Sequence, residues 1–204
     1  MKYNTPKFYA IDQNSEMWDE LRLGKFTAST FCDLFMDKKT AGYQKAIIKV
    51  AYERVTGESE ESYSNKWMTR GHEKEPFACE NYEMLTFNSL ENGGFYELNE
   101  YVGASPDRKI VGQNGGCEFK CPSFQIYNEY LETKKLPKAY FWQVHGQLLC
   151  TGWDFIDYMP FSSPKLKQIL IRVERDELIL EQLNEKLNSC IEEVKVLVER
   201  IRQN

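Results

Sequence analysis

The chain has 204 residues, 42% hydrophobic and 28% charged, the balance of an ordinary soluble globule with enough apolar side chains for one substantial core. No apolar run approaches the ~20 residues a membrane span requires, and a net charge of −5 argues against a simple, uniformly basic binder of polyanions. The charge is uneven, however: residues 53–100 hold eleven acidic and four basic side chains, residues 101–175 seven and ten, so a basic surface confined to one face remains available.

The sequence reads as a single continuous domain over 1–204, without a low-complexity linker or internal repeat. Its opening Met1-Lys2-Tyr3-Asn4-Thr5-Pro6 lacks the apolar segment of a secretory signal, so a cytoplasmic protein is expected. Ser15 opens a short helix over 15–23 that turns Met17, Trp18 and Leu21 inward and stops at Gly24. Thr27-Ala28-Ser29-Thr30 offers caps for a second short helix through Phe35. A stronger helix over 42–56 has Ile47, Ile48, Ala51 and Val55 as its apolar side and Gly57 as its stop. A polar loop, Glu58 to Asn65, leads to a helix over about 66–86. Strands are predicted near 93–99, 101–104, 107–111 and 117–120, then helices near 123–133 and 139–151. Strands near 153–160 and 168–174 precede a closing helix from about 176 to 202. That helix carries Leu180, Leu183, Leu187, Ile191, Val194, Leu197 and Ile201 in a near-heptad stripe, a face for its own sheet or for another subunit. The succession predicts an α/β fold, one mixed β-sheet core flanked by helices on both faces.

Six cysteines, Cys32, Cys79, Cys117, Cys121, Cys150 and Cys190, stand singly with no CxxC pair, the usage of a reducing compartment. Cys117 and Cys121 lie four apart, on one face of a strand, but the sequence supplies no two obvious partners for a zinc tetrahedron. Trp18, Trp67, Trp142 and Trp153 fall in regular elements, where core packing is the ordinary use.

Chemistry concentrates in Ser105-Pro106-Asp107 and, ten residues on, Glu118-Phe119-Lys120-Cys121-Pro122. Between them Gly112-Gln113-Asn114-Gly115-Gly116 should reverse the chain, placing Asp107 on the first strand of a hairpin and Glu118 and Lys120 on the second. Residues two apart on a strand share a face, which points Glu118 and Lys120 the same way. Two carboxylates and an ammonium in one patch are costly unless something compensates. A hard divalent cation does so, because magnesium prefers carboxylate oxygens, and the lysine can then hold a water aimed at a phosphodiester. The competing reading is a hairpin whose charges form a solvated cross-strand pair.

The arrangement resembles the PD-(D/E)xK nuclease motif, read here as Pro106-Asp107 and Glu118-Phe119-Lys120. Over nearly its whole length the chain is similar to the phage lambda-type exonuclease family of viral recombination nucleases. Trp18 through Ser29 fits that family's W-x-x-x-R-x-G-x-[IVF]-T-A-S opening, and Gly71-His72-Glu73-Lys74-Glu75 fits its G-x-x-x-E helix. The two central segments fit its S-P-D-G and E-[LIV]-K-C-P blocks. Tyr140 to Gln147, followed by Thr151-Gly152, sits where the family carries its glutamine helix, and Val173-Glu174-Arg175-Asp176-Glu177 resembles the approach to its terminal helix. Two positions depart: Arg108 stands where the family has glycine, and His145 where it tends to repeat glutamine.

The resemblance implies a PD-(D/E)xK restriction-endonuclease-like fold and a set of roles. Asp107 and Glu118 would ligate metal, with the Phe119 backbone carbonyl completing the shell. Glu75 would join from its helix at a second metal position, and Lys120 would orient or activate the attacking water. Two magnesium ions are implied, with manganese able to substitute. Arg22 and Ser29 would contact a terminal 5′ phosphate, Ser105 being a further candidate, since a guanidinium grips phosphate through parallel hydrogen bonds. Gln143 would reach nucleotide or Lys120. Local alternatives exist for each: Arg22 paired with Asp19, Ser29 or Thr27 as a helix cap, Glu75 solvated beside Lys74 or Arg70. Trp67 and Met68 serve either as core or as a wedge between DNA strands.

Together these imply a magnesium-dependent double-strand DNA exonuclease. It would degrade the 5′-phosphorylated strand 5′→3′ to mononucleotides and leave 3′ overhangs for a phage single-strand annealing protein. A homotrimeric ring in the bacterial host cytoplasm is implied with it. Two other readings stay open: another PD-(D/E)xK nuclease, RecB- or Cas4-like or restriction-type, and a DNA-end-binding module with a degenerate site. The scattered cysteines argue against the four-cysteine cluster of Cas4-like enzymes.

Overall fold

The computed structural model describes residues 5–59 and 66–203, and the side chains of residues 66–72, Trp67 and Met68 among them, lie outside the described set. Strand β1 (Lys7–Tyr9) leads to α1 (Glu16–Arg22), which starts where the Ser15 hydroxyl receives the Trp18 N–H at 3.2 Å. Strand β2 (Phe26–Thr27), one turn of 3-10 helix (Ala28–Thr30) and α2 (Phe31–Leu34) follow. Neither Thr27 nor Thr30 caps with its side chain; the Thr27 hydroxyl meets Ser29 and Arg22 instead, both at 3.4 Å. Thr40 caps α3 (Ala41–Thr56), which ends at Gly57 in the left-handed region that glycine tolerates. The buried stripe of α3 is Tyr43, Ile47, Val50 and Ala51; Ile48, expected inside, is 57% exposed because it lies one position off that stripe. Met17 likewise faces solvent, since α1 lies on the surface with no fully buried residue. Helix α3 fastens the turn after α1: Glu53 accepts the Gly24 N–H at 2.8 Å and Arg54 donates to the Gly24 carbonyl at 2.9 Å.

Next come α4 (Lys66–Thr86), β3 (Leu90–Asn92), β4 (Phe95–Asn99), β5 (Val102–Ala104), β6 (Arg108–Ile110) and β7 (Gly115–Lys120). The chain closes with α5 (Phe124–Thr133), α6 (Lys138–Thr151), β8 (Phe155–Pro160), β9 (Ile171–Glu174) and α7 (Glu177–Gln203). The expected single sheet is two, ordered β1-β4-β5-β2 and β3-β6-β7-β8-β9, each mixing parallel and antiparallel pairs. The division has a local cause. Strands β3 and β4 are one extended stretch broken at Gly93-Gly94; β5 and β6 are another, broken at Ser105-Pro106-Asp107. Because β3 pairs with β6 and β4 with β5, both arms of this long hairpin break at the same level. A Cβ on Gly93 would sit 1.9 Å from the Pro106 carbonyl oxygen, so only glycine allows the two arms to cross. Pro106 has no N–H with which to continue a ladder. Asp107 therefore lies at the joint of the two sheets.

Gly115 and Gly116, expected in the turn, belong to β7. The rings of Phe155 and Trp153 occupy their side-chain space, 2.5 and 2.0 Å from where a Cβ would be. Strand β7 pairs antiparallel with β6 (Arg108 opposite Cys117) and parallel with β8 (Glu118 opposite Tyr158). One face of this sheet packs Cys117, Phe119 and Met159 on Ala78 and Tyr82 of α4. The other faces α6, which touches β4 and β5 of the first sheet as well as β8 of the second, and which is buried from Gln143 through Thr151. The apolar stripe of α7 packs on α3 and α6 rather than on a sheet. Among the described residues no helix is long and apolar enough to cross a membrane.

Gly116→Ala is expected to destabilise the protein by about 1–3 kcal/mol, because its Cβ meets the Arg108 main-chain carbonyl at 2.6 Å as well as the Trp153 ring. A urea midpoint equal to that of the unaltered protein would contradict this packing.

Candidate active site

Alternation along β7 sends Cys117 and Phe119 toward α4 and Glu118 and Lys120 toward α6. Glu118 is 1% exposed, and both its oxygens are engaged. Oε1 accepts from Lys120 Nζ and Gln143 Nε2, each at 2.5 Å, and Oε2 from Gln147 Nε2 at 2.6 Å. The two glutamines stand one helical turn apart on α6, so both amides reach one carboxylate. A polar group buried without partners costs free energy; three N–H donors satisfy this carboxylate and fix its orientation. The Gln147 carbonyl oxygen is itself buried without a partner among the described residues.

Asp107, at the sheet joint, accepts the Phe119 N–H at 2.7 Å, while Gln13 Nε2 approaches its other oxygen at 3.5 Å and the Pro106 carbonyl at 3.2 Å. Burial, and after it the charge of Glu118, holds the Asp107 carboxyl well above the usual carboxylate range; Glu75 adds to the effect and Lys120 opposes it. For Lys120, burial alone would lower the pKa, but Glu118 and Asp107 overcome it and raise the ammonium above its ordinary value. The lysine is thus a fixed cation, with the Tyr140 ring 5.3 Å from its nitrogen.

Glu75, in α4, lies 2.7 Å from Arg108 Nη1, and that nitrogen also donates to the Asp107 main-chain carbonyl at 2.6 Å. This is the partner Glu75 adopts, rather than Lys74 or the solvent. Among the described residues no three His, Cys, Asp or Glu side chains converge closely enough to form a metal cage. What the site offers a metal is the Asp107 and Glu118 carboxylates, mutually repelling and all-oxygen. That chemistry fits magnesium or another hard dication and does not fit a zinc centre.

Glu75, Asp107, Glu118, Phe119 and Lys120 line one cavity of about 880 Å³, whose wall also includes Arg22, Ser29, Ser105 and Gln143. Every site residue named from the sequence therefore borders the same space. Gln143 reaches it through Glu118, to which its amide is bound. At the other end, the Arg22 guanidinium stacks on Trp18, 3.9 Å from the ring centroid. Trp18 Nε1 donates to Ser105 Oγ at 2.9 Å, and Ser105 donates onward to the Gly94 carbonyl at 2.8 Å. Among the described residues Arg22 forms no ion pair, and the expected alternative partner Asp19 does not close on it. Burial lowers its pKa to about 10, against the opposing charges of Asp19 and Glu53, which leaves it protonated at neutral pH. A desolvated guanidinium without a carboxylate, beside the exposed hydroxyl of Ser29, is a seat for an anion.

Gln13, Asn14, Trp18, Tyr140 and Gln147 also line the cavity. Trp18 was read from the sequence as packing, although its four-residue spacing to Arg22 on one helix was a usable signal. Gln13 and Asn14 come from the loop before α1, and no local pattern marks them.

A carboxylate at the joint just before β6, and a carboxylate and a lysine on the adjacent β7 of a helix-flanked mixed sheet, define a nuclease fold of the PD-(D/E)xK type. Residues 17–154 match the YqaJ-like viral recombinase domain, and the chain belongs to that lambda exonuclease-like family. The alkaline exonuclease of Laribacter hongkongensis has 28% identity and a TM-score of 0.83 over 93% of this chain and 97% of the other, values shared by its complex with dAMP. A phage-related exonuclease of Haemophilus somnus, at 16% identity, shares the fold with a TM-score of 0.65 over 87% of this chain and 96% of its own. No curated protein matches.

Because Asp107 is buried against a second carboxylate, its ionised form destabilises the metal-free protein, a penalty that begins to ease as pH falls below its raised pKa and is gone below the ordinary carboxylate value of the unfolded chain. Asp107→Asn keeps an acceptor for the Phe119 N–H. It is expected to raise the melting temperature in chelator by a few degrees and to abolish the further rise that magnesium gives the unaltered protein. A variant that melts lower in chelator, or still responds to magnesium, would contradict the site.

Proposed function

We propose that this protein is a magnesium-dependent exodeoxyribonuclease that degrades the 5′-phosphorylated strand of double-stranded DNA in the 5′→3′ direction. Mononucleotides are the product, and the 3′ overhang serves recombination by strand annealing. The observation that carries the reading is one cavity lined by Asp107, Glu118 and Lys120 and also by Arg22, whose guanidinium forms no ion pair among the described residues. Membership of a viral recombinase family supports it, as does likeness to an alkaline exonuclease crystallised with dAMP, a deoxynucleoside monophosphate.

Asp107 and Glu118, with the Phe119 carbonyl, would hold the first cation, and Glu75 borders a second position. When bound, magnesium supplies Lewis-acid activation of the phosphodiester and a more acidic water; manganese does the same. Lys120 lies beside both ligand carboxylates, where it can orient or activate the attacking water. It also offsets the negative charge that builds on the phosphoryl oxygens. Gln143 and Gln147 prevent Glu118 from rotating as that charge develops. Arg22, flattened on Trp18, receives the terminal 5′ phosphate with Ser29 and Ser105 beside it, so cleavage follows recognition within a single cavity. A homotrimeric ring threaded by DNA would give an acidic chain processivity, and a phage annealing protein would take up the overhang in the bacterial cytoplasm.

Digestion of end-labelled linear duplex, with and without 5′ phosphate and magnesium, tests the whole reading; cleavage of a closed circle would move it to an endonuclease. Lys120→Ala is expected to lower turnover at least 10³-fold while DNA still binds, and a variant with unchanged turnover would remove Lys120 from the mechanism. Arg22→Ala is expected to lose the preference for 5′-phosphorylated over 5′-hydroxyl ends, measured as the ratio of kcat/KM values. Equal discrimination in variant and unaltered enzyme would assign the phosphate to another residue.

A further inference from the structure

Four carboxylates line the cavity, Glu75, Asp107, Glu118 and Glu129, and Glu118 and Glu75 already have a cation. Lys120 is 2.5 Å from Glu118 and Arg108 is 2.7 Å from Glu75, whereas Asp107 forms no ion pair among the described residues. The Arg108–Glu75 pair is partly buried, the two side chains 27% and 20% exposed, so water screens it incompletely. Arg108 is also fixed at its other end. It follows Asp107 in the chain, donates to the Asp107 carbonyl, and sits opposite Cys117, the residue before Glu118. The hairpin that sets the two ligands therefore also sets where this guanidinium lies. Glu75, engaged by it, does not close with Asp107 and Glu118 into a three-carboxylate group.

We propose that Arg108 competes with a second divalent cation for Glu75, so that one cation binds tightly at Asp107 and Glu118 and the second binds weakly. This inference rests on the nuclease reading above and specifies how its metal site is loaded. A dication brought to Glu75 must share the carboxylate with a guanidinium and approach a fixed positive charge at close range. Removing the guanidinium frees an oxygen and removes that repulsion. A purely structural Arg108 predicts the reverse, since its loss would loosen Glu75 and weaken the second cation. The two roles differ in sign.

The test is calorimetric titration of the DNA-free protein with Mn²⁺ and, separately, Ca²⁺, for the unaltered chain, Arg108→Ala, Arg108→Gln and Arg108→Lys. The unaltered chain is expected to show one tight class of site and a weak second one. In Arg108→Ala and Arg108→Gln the second class is expected to tighten at least tenfold while the first stays in place, and Arg108→Lys, which keeps the charge, should stay close to the unaltered chain. Adding Glu75→Gln to Arg108→Ala should abolish the tightened class. A retained first class shows that the site is folded in each variant. A second class unmoved or weakened in both neutral variants overturns this inference alone. Absence of the first class from the unaltered chain overturns the nuclease reading and this inference with it.

Discussion

The buried carboxylate of Glu118 is the constraint around which the rest is arranged. At 1% exposure its oxygens need donors to replace the water they lose, and Lys120, Gln143 and Gln147 supply them. That requirement explains why α6, buried over its last nine residues, carries two glutamines on an otherwise largely apolar helix. It also ties α6 to β7, and through β7 to β8. The isolated Gln147 oxygen is the residual cost of pointing both amides at the carboxylate.

Asp107 reaches Glu118 for a different reason. The long hairpin breaks at Gly93-Gly94 and at Ser105-Pro106-Asp107, its halves enter different sheets, and the carboxylate at the break accepts a main-chain N–H of β7. Two carboxyl groups are thereby held near one another out of water, an arrangement whose charge a hard cation would relieve. Stability lost at such a place is characteristic of sites built for chemistry. Arg108 and Lys120 offset part of the charge without cancelling it, which leaves a local electrostatic demand for a dication.

An overall charge of −5 is compatible with a polyanionic substrate because cationic groups, Arg22 and Lys120, line the cavity itself. Arg22 is desolvated against Trp18, whose indole nitrogen is in turn held by Ser105, the residue two before Asp107. The anion seat and the carboxylates thus share a mechanical connection through the Ser105-Pro106-Asp107 segment. Net charge is a poor guide where a few buried groups set the potential.

The sequence by itself determined what depends on neighbours along the chain. Ser15 at a helix start, Gly57 as a stop, the β6–β7 turn and the common face of Glu118 and Lys120 follow from local backbone geometry, and all are present. The motif spacing was enough to name residues that border one cavity. Tertiary structure decided what depends on distant partners. Strands β1, β2 and β3, two or three residues each, exist only through pairing with β4, β5 and β6, and carry no periodicity of their own. The split into two sheets arises from a steric approach of Gly93 to Pro106, thirteen positions apart. The joining of Gln147 to Glu118 and of Arg108 to Glu75 spans 29 and 33 positions in sequence, and which charge meets which is fixed only when helix and strand are packed together.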